Sequence, residues 1–152
     1  MELSQTGFNL KEMLQTVENT VLIHVAERKQ YLFTQINGEM PDSLIGDELL
    51  LACVLENIIL NAAETIPPNG NITVDVSLVN ETDAEVFLKI SVEGMDGTGK
   101  HKQTENDESV IRDNTGLRIE IAKHIVKMLD GKWEDSVSEN GSKYSFSLRF
   151  NK

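Results

Sequence analysis

Cysteine occurs once in the 152 residues, at Cys53, so no internal disulfide can form and no cysteine cluster can hold a metal. A reducing compartment, the cytoplasm, fits that usage. Histidine occurs three times, at His24, His101 and His124, without ligand spacing, which argues against a zinc site. Basic residues are scarce: 14 lysines and arginines stand against 25 acidic residues, a net charge of −11. That field repels nucleic acid and anionic membranes, so neither is expected as a partner. The longest apolar run, Leu49 to Leu55, is far too short to span a bilayer, and no charged-then-apolar leader opens the sequence. Neither direct membrane contact nor secretion is expected. Repeats, linkers and low-complexity tracts are lacking too, so the chain reads as one domain over residues 1–152, with residues 1–7 loose.

What is present centres on the stretch from Asp47 to Val79. At helical spacing Leu51, Ala52, Leu55, Ile58, Ile59, Ala62 and Ile66 form one broad apolar stripe, as in a helix laid on a core. Asn57, Asn61 and Glu64 fall on a line away from that stripe, at i, i+4 and i+7. Gly46-Asp47 starts the helix, Pro67-Pro68 stops it, and Asn69-Gly70 makes a tight turn into an alternating strand, Ile72, Val74, Val76 and Leu78. Two stacked carboxamides on a helix side have an ordinary reading as solvated surface. The rest of the chain supplies the case for a site.

Asn9 is placed to cap a first helix, with Glu12 as reciprocal cap, Phe8 and Met13 at staple spacing, and Leu10, Met13, Leu14, Val17 and Val21 as its apolar face. Residues 31–36 read as a strand and 37–42 as a loop. Val86, Leu88, Ile90 and Val92 alternate as the antiparallel neighbour of the strand at 72–79. Lys100–Asp113 reads as a mobile loop, and Asn114 or Thr115 caps the next helix, with core positions Leu117, Ile121, Ile125, Met128 and Leu129. Gly131 ends it in the position that favours a left-handed cap. A closing hairpin turns at Asn140-Gly141, with Trp133, Tyr144, Phe146, Leu148 and Phe150 facing the core. This order implies an α/β two-layer sandwich, a mixed and mostly antiparallel sheet with helices on one face.

Three features converge on one end of that sandwich: the asparagine ridge, the turn Asp96-Gly97-Thr98-Gly99 after a strand, and Asn114-Thr115-Gly116-Leu117 at a helix start, where free N–H groups favour a phosphate. In this order, with Gly141-Ser142 at the last strand, the chain resembles the ATP-binding catalytic domain of sensor histidine kinases, within the Bergerat fold shared with gyrase. Leu55-Glu56-Asn57-Ile58-Ile59-Leu60-Asn61-Ala62-Ala63 is similar to the family's N box, and residues 141–148 to its closing strand. The resemblance implies ATP and Mg2+ as ligands. It places Asn61 on Mg2+, and Asn57 or Glu56 as catalytic residues orienting the γ-phosphate. It places Asp96, Gly97, Gly99 and Ser142 around the base, and Thr115, Gly116, Leu117 and Arg118 at the phosphates. It also implies a histidine-bearing dimerisation domain and a response regulator as partners.

The departures are specific. Met95 or Gly94 stands where the family's adenine-binding aspartate belongs, leaving Asp96 to reach the base through a strand bulge. Asn114, Gly116 and Arg118 stand at three alternating glycines, Glu64 at a basic position, and no phenylalanine lies within Lys100–Asp113. Two main readings follow. One is a working kinase module that supplies Mg-ATP to a histidine elsewhere. The other is a pseudokinase, a docking or signalling module with weak or no ATP binding. An anti-sigma-factor kinase, on the same fold, is a third.

Overall fold

A computed structural model of the chain describes residues 5–96, 108–138 and 141–152. Its elements run β1 (Thr6–Phe8), α1 (Leu10–Glu27), β2 (Tyr31–Asn37), β3 (Leu44–Gly46), α2 (Glu48–Thr65), β4 (Asn71–Glu81), β5 (Glu85–Met95), α3 (Glu108–Met128), β6 (Lys132–Ser138) and β7 (Gly141–Asn151). Strands β2, β4, β5 and β7 lie side by side, β6 flanks β7, and the short β1–β3 pair continues from the far end of β7. Only β2 and β4 run parallel; the other pairs are antiparallel. The mixed, mostly antiparallel sheet with helices on one face is the expected architecture.

Alternation sets which face each strand buries. Ile72, Val74 and Val76 of β4 meet Val86, Leu88, Ile90 and Val92 of β5 and Phe146, Leu148 and Phe150 of β7 beneath the helices. From α2 the residues Leu51, Leu55, Ile58 and Ile59 are at most 1% exposed. Each such side chain contributes roughly 1.5–3 kcal/mol of burial. Ala52 is only half-buried, at the margin of the expected stripe.

Caps close the helices as the sequence indicates at two starts. Asn9 Oδ1 accepts from Glu12 N at 3.0 Å, and Asp47 Oδ1 from Leu50 N at 3.1 Å. The stop of α2 is less local. Its last turn carries no basic residue, yet Gln30 Nε2 donates to the carbonyls of Ala63 and Ile66 at 2.9 Å, and Arg28 Nε to Ala63 at 2.6 Å. Those donors satisfy carbonyls that a helix end leaves open.

Several expectations need correction. Thr6 and Gly7, read as loose, form with Phe8 a strand that pairs with Leu44–Gly46, and Phe8 packs edge-on against Phe150 at 5.7 Å. Strands of three residues carry no periodicity to read. Helix α3 begins at Glu108, not at Asn114 or Thr115. No proline interrupts residues 108–128, and Gly116 weakens a helix interior by only about 1 kcal/mol. The buried face of α3 is Ile119, Ala122, Ile125 and Val126, while Leu117 is 61% and Ile121 38% exposed. Both stripes share Ile125, and only packing against α2 selects between them. At the end of α3, Asp130 rather than Gly131 takes the left-handed conformation (φ 59°), and Gly131 N bonds to Val126 O.

Candidate functional site

Helix α2 carries the site because both its flanks are used. Gly94 on β5 lets it sit down closely: a Cβ there would lie 3.1 Å from Ile66 Cγ2 and 3.2 Å from Ala62 Cβ. An aspartate at that position, where the strand alternation places the family's base-binding residue, would have to push Ile66 and Ala62 back by a few tenths of an ångström. Asp96 instead holds the next inward-facing position and is 6% exposed. The β5–β7 register runs unbroken from Glu85↔Asn151 to Met95↔Gly141. Asp96 is therefore buried directly after a strand whose pairing with β7 shows no bulge.

Asn61 is the most unusual group. It is 1% exposed, and among the described residues neither its Oδ1 nor its Nδ2 has a well-formed hydrogen bond, a weak interaction with the Tyr144 phenol aside. The ridge line places it away from the core, yet the fold buries it beside Tyr144. Leaving a buried carboxamide unmet costs roughly 1–3 kcal/mol per group, so an arrangement of this kind points to a ligand. Tyr144 lies beside it. Burial pushes that phenol up, Asp135 adds to the shift, and the neighbouring Asn61 and Lys123 oppose it more weakly.

Asn57, one turn earlier, is half-buried and donates to Cys53 O at 2.8 Å and to Cys53 Sγ at 3.4 Å. Its carboxamide is thus engaged by its own helix, with Glu56 half-buried beside it. Burial raises the Cys53 thiol above its ordinary value, Glu56 adds to this, and the Asn57 bond opposes it. The thiolate is the reactive form. Native Cys53 is therefore expected to alkylate more slowly at neutral pH than the same residue in urea. Equal rates would contradict the burial that α2 imposes.

Two off-pattern residues meet. Arg118 Nε pairs with Glu64 Oε1 at 2.5 Å, with both side chains about one-third exposed (32% and 28%). Arg118 and Glu64, the two departures from the family's pattern, thus neutralise each other between α2 and α3. Nothing local in the sequence announces that pairing; only the packing of α2 on α3 brings the two together.

Thr115 and Gly116 lie inside α3, not at its first turn, so the expected phosphate-binding helix start is not at these residues. Leu117 is exposed beside them. Ser142 is paired with Gly94 across β5 and β7, which sets it at the same sheet end as Asp96. Gly97 and Gly99 lie outside the described residues, as do residues 100–107 of the expected loop.

Sensor protein GacS of Pseudomonas syringae pv. syringae is 31% identical over 163 residues, spanning 99% of this chain and 18% of GacS. The chain thus spans about a fifth of that relative's length. Adaptive-response sensory kinase SasA of Microcystis aeruginosa is 26% identical over 154 residues, covering 96% of this chain and 39% of that protein. Among solved structures, the catalytic domain of histidine kinase ThkA superposes with a TM-score of 0.71 at 22% identity, covering 97% of this chain and 95% of ThkA's. The chain belongs to the catalytic domains of sensor histidine kinases. The kinase-type domain matches no protein-family model. Full-length ShkA in complex with AMPPNP shares its fold, with a TM-score of 0.72 at 16% identity over all of this chain and 32% of that one. The kinase-type domain therefore keeps the family's architecture. Among the described residues no helix is long and apolar enough to cross a membrane.

Proposed function

We propose that this domain binds Mg-ATP between α2, α3 and the end of β5, and supplies its terminal phosphoryl group to a histidine on a separate helical domain of the same sensor. The buried, unpartnered carboxamide of Asn61 carries the reading. Its oxygen suits a hard divalent cation, and its nitrogen can donate to a phosphate oxygen. Bound Mg2+ would neutralise charge on the phosphates. Asp96 accepts from the adenine amino group, with Gly97, Gly99 and Ser142 around the base. Thr115, Gly116, Leu117 and Arg118 on α3 border the phosphates. Asn57 turns from Cys53 toward the γ-phosphate with Glu56 beside it. Work of this kind is positioning and charge stabilisation rather than covalent chemistry.

The partners under this reading are a histidine-bearing dimerisation domain and a response regulator, in the cytoplasm. Similarity to kinases along nearly the whole chain favours it over the docking reading, and the AMPPNP bound to ShkA supports a nucleotide as the ligand. Thermal unfolding with and without nucleotide tests it. At about 100 times the dissociation constant, Mg-ATP adds about 2.7 kcal/mol, which raises Tm by roughly 5–10 °C. No shift at millimolar Mg-ATP would leave only the docking role.

A further inference from the structure

A cleft of about 250 Å³ opens between the end of α1, the last turns of α2 and the middle of α3. His24, Glu27, Arg28, Leu60, Glu64 and Arg118 line it. Two of the chain's few basic side chains thus face one small space in a molecule of net charge −11. Arg28 uses Nε on the Ala63 carbonyl and Arg118 uses Nε on Glu64. Among the described residues, no hydrogen bond or ion pair engages the terminal amino groups of either arginine. A planar fork with unspent donors matches an oxyanion in two-pronged fashion. Of the two carboxylates in the cleft, Glu27 has no ion-pair partner among the described residues, and Glu64 occupies the place an anionic ligand would take on Arg118.

We propose that this cleft is a phosphate site in which Arg28 and Arg118 hold the terminal phosphate of the nucleotide, with Glu64 as a built-in competitor that must release Arg118 first. Glu64 stands three residues after Asn61 on α2, about 5–6 Å away between Cβ atoms, so the cleft lies about one helical turn beyond the Asn61 position. A partly exposed ion pair such as Glu64–Arg118 contributes little and yields readily to a doubly charged oxyanion. The inference gives α1 a role in reading phosphate number. It rests on the nucleotide reading only for the source of the phosphate.

Calorimetric titration of the wild type, Glu64→Gln and Arg28→Gln with Mg-ATP, Mg-ADP and inorganic tripolyphosphate tests it. Glu64→Gln is expected to tighten ATP and tripolyphosphate about tenfold, and Arg28→Gln to weaken both about tenfold, with ADP changing by less than about twofold in each. Because Arg28 also holds the Ala63 carbonyl, Arg28→Lys serves as a second variant and recovers part of the ATP affinity through its charge. If ATP binds equally well to the wild type and every variant, the cleft holds no phosphate, while the nucleotide site stands. If tripolyphosphate binds in an Arg28-dependent way and ATP does not bind, the cleft stands and the nucleotide reading falls. Binding of neither overturns both.

Discussion

Asn61→Ala is expected to remove Mg-dependent nucleotide binding while leaving the nucleotide-free domain about as stable as the wild type. Two opposing terms set the stability result. Truncation leaves a small void, which lowers stability. It also deletes two buried polar atoms that have no well-formed hydrogen bond among the described residues, and leaving such groups unmet costs roughly 1–3 kcal/mol. The terms nearly cancel, so Tm should move by no more than about 2–4 °C, the equivalent of about 1 kcal/mol in a domain of this size. Binding has no such compensation. Losing one charged hydrogen bond costs about 1.5–3 kcal/mol, roughly ten- to a hundredfold in affinity, and loss of the cation contact adds to it. Thermal scans with and without Mg-ATP read both quantities. A variant that loses several kcal/mol of stability yet keeps its nucleotide shift would make Asn61 a structural residue and remove the main support for the site.

Gly70→Ala is expected to be among the most destabilising single changes in the chain. A Cβ at Gly70 would lie 2.7 Å from the Met95 carbonyl oxygen, 2.9 Å from Ile66 Cδ1 and 3.0 Å from the Pro67 carbonyl oxygen. Two of those neighbours are backbone atoms and cannot rotate away. Gly70 also ties two elements together: its N–H donates to Pro67 O, just past α2, and its carbonyl accepts from Tyr31 N, at the start of β2. Overpacking of this kind costs about 3 kcal/mol or more, a fall in Tm of roughly 6–12 °C. Met95 precedes Asp96, so nucleotide affinity should fall with it. Gly116→Ala makes the contrast, because a Cβ there meets nothing within 4 Å inside a helix. That substitution should stabilise the domain by about 0.5–1 kcal/mol. Chemical denaturation of the two variants side by side checks the pair; an innocuous Gly70→Ala would mean the junction of α2, β2 and β5 is looser than drawn.

Local rules carried much of the architecture. The stripe from Leu51 to Ile66, the alternation in β4, β5 and β7, and the caps at Asn9 and Asp47 depend on residues within a few positions of one another, so the sequence displays them directly. The short strands β1 and β3 lacked enough residues to show a period. The true start of α3 was hidden by polar residues that are compatible with helix as well as loop.

For the site, sequence alone determined that Asn57, Asn61 and Glu64 share one side of a helix, and that Asp96 ends a strand, because helix and strand periods are properties of the backbone. Tertiary structure decided everything that depends on a second element. It buried Asn61 beside Tyr144, crowded the Gly94 position with Ala62 and Ile66, and matched Glu64 with Arg118 across 54 residues of chain. Burial and pairing are set by which surfaces meet, and that choice is made by the whole core at once rather than by any stretch of it.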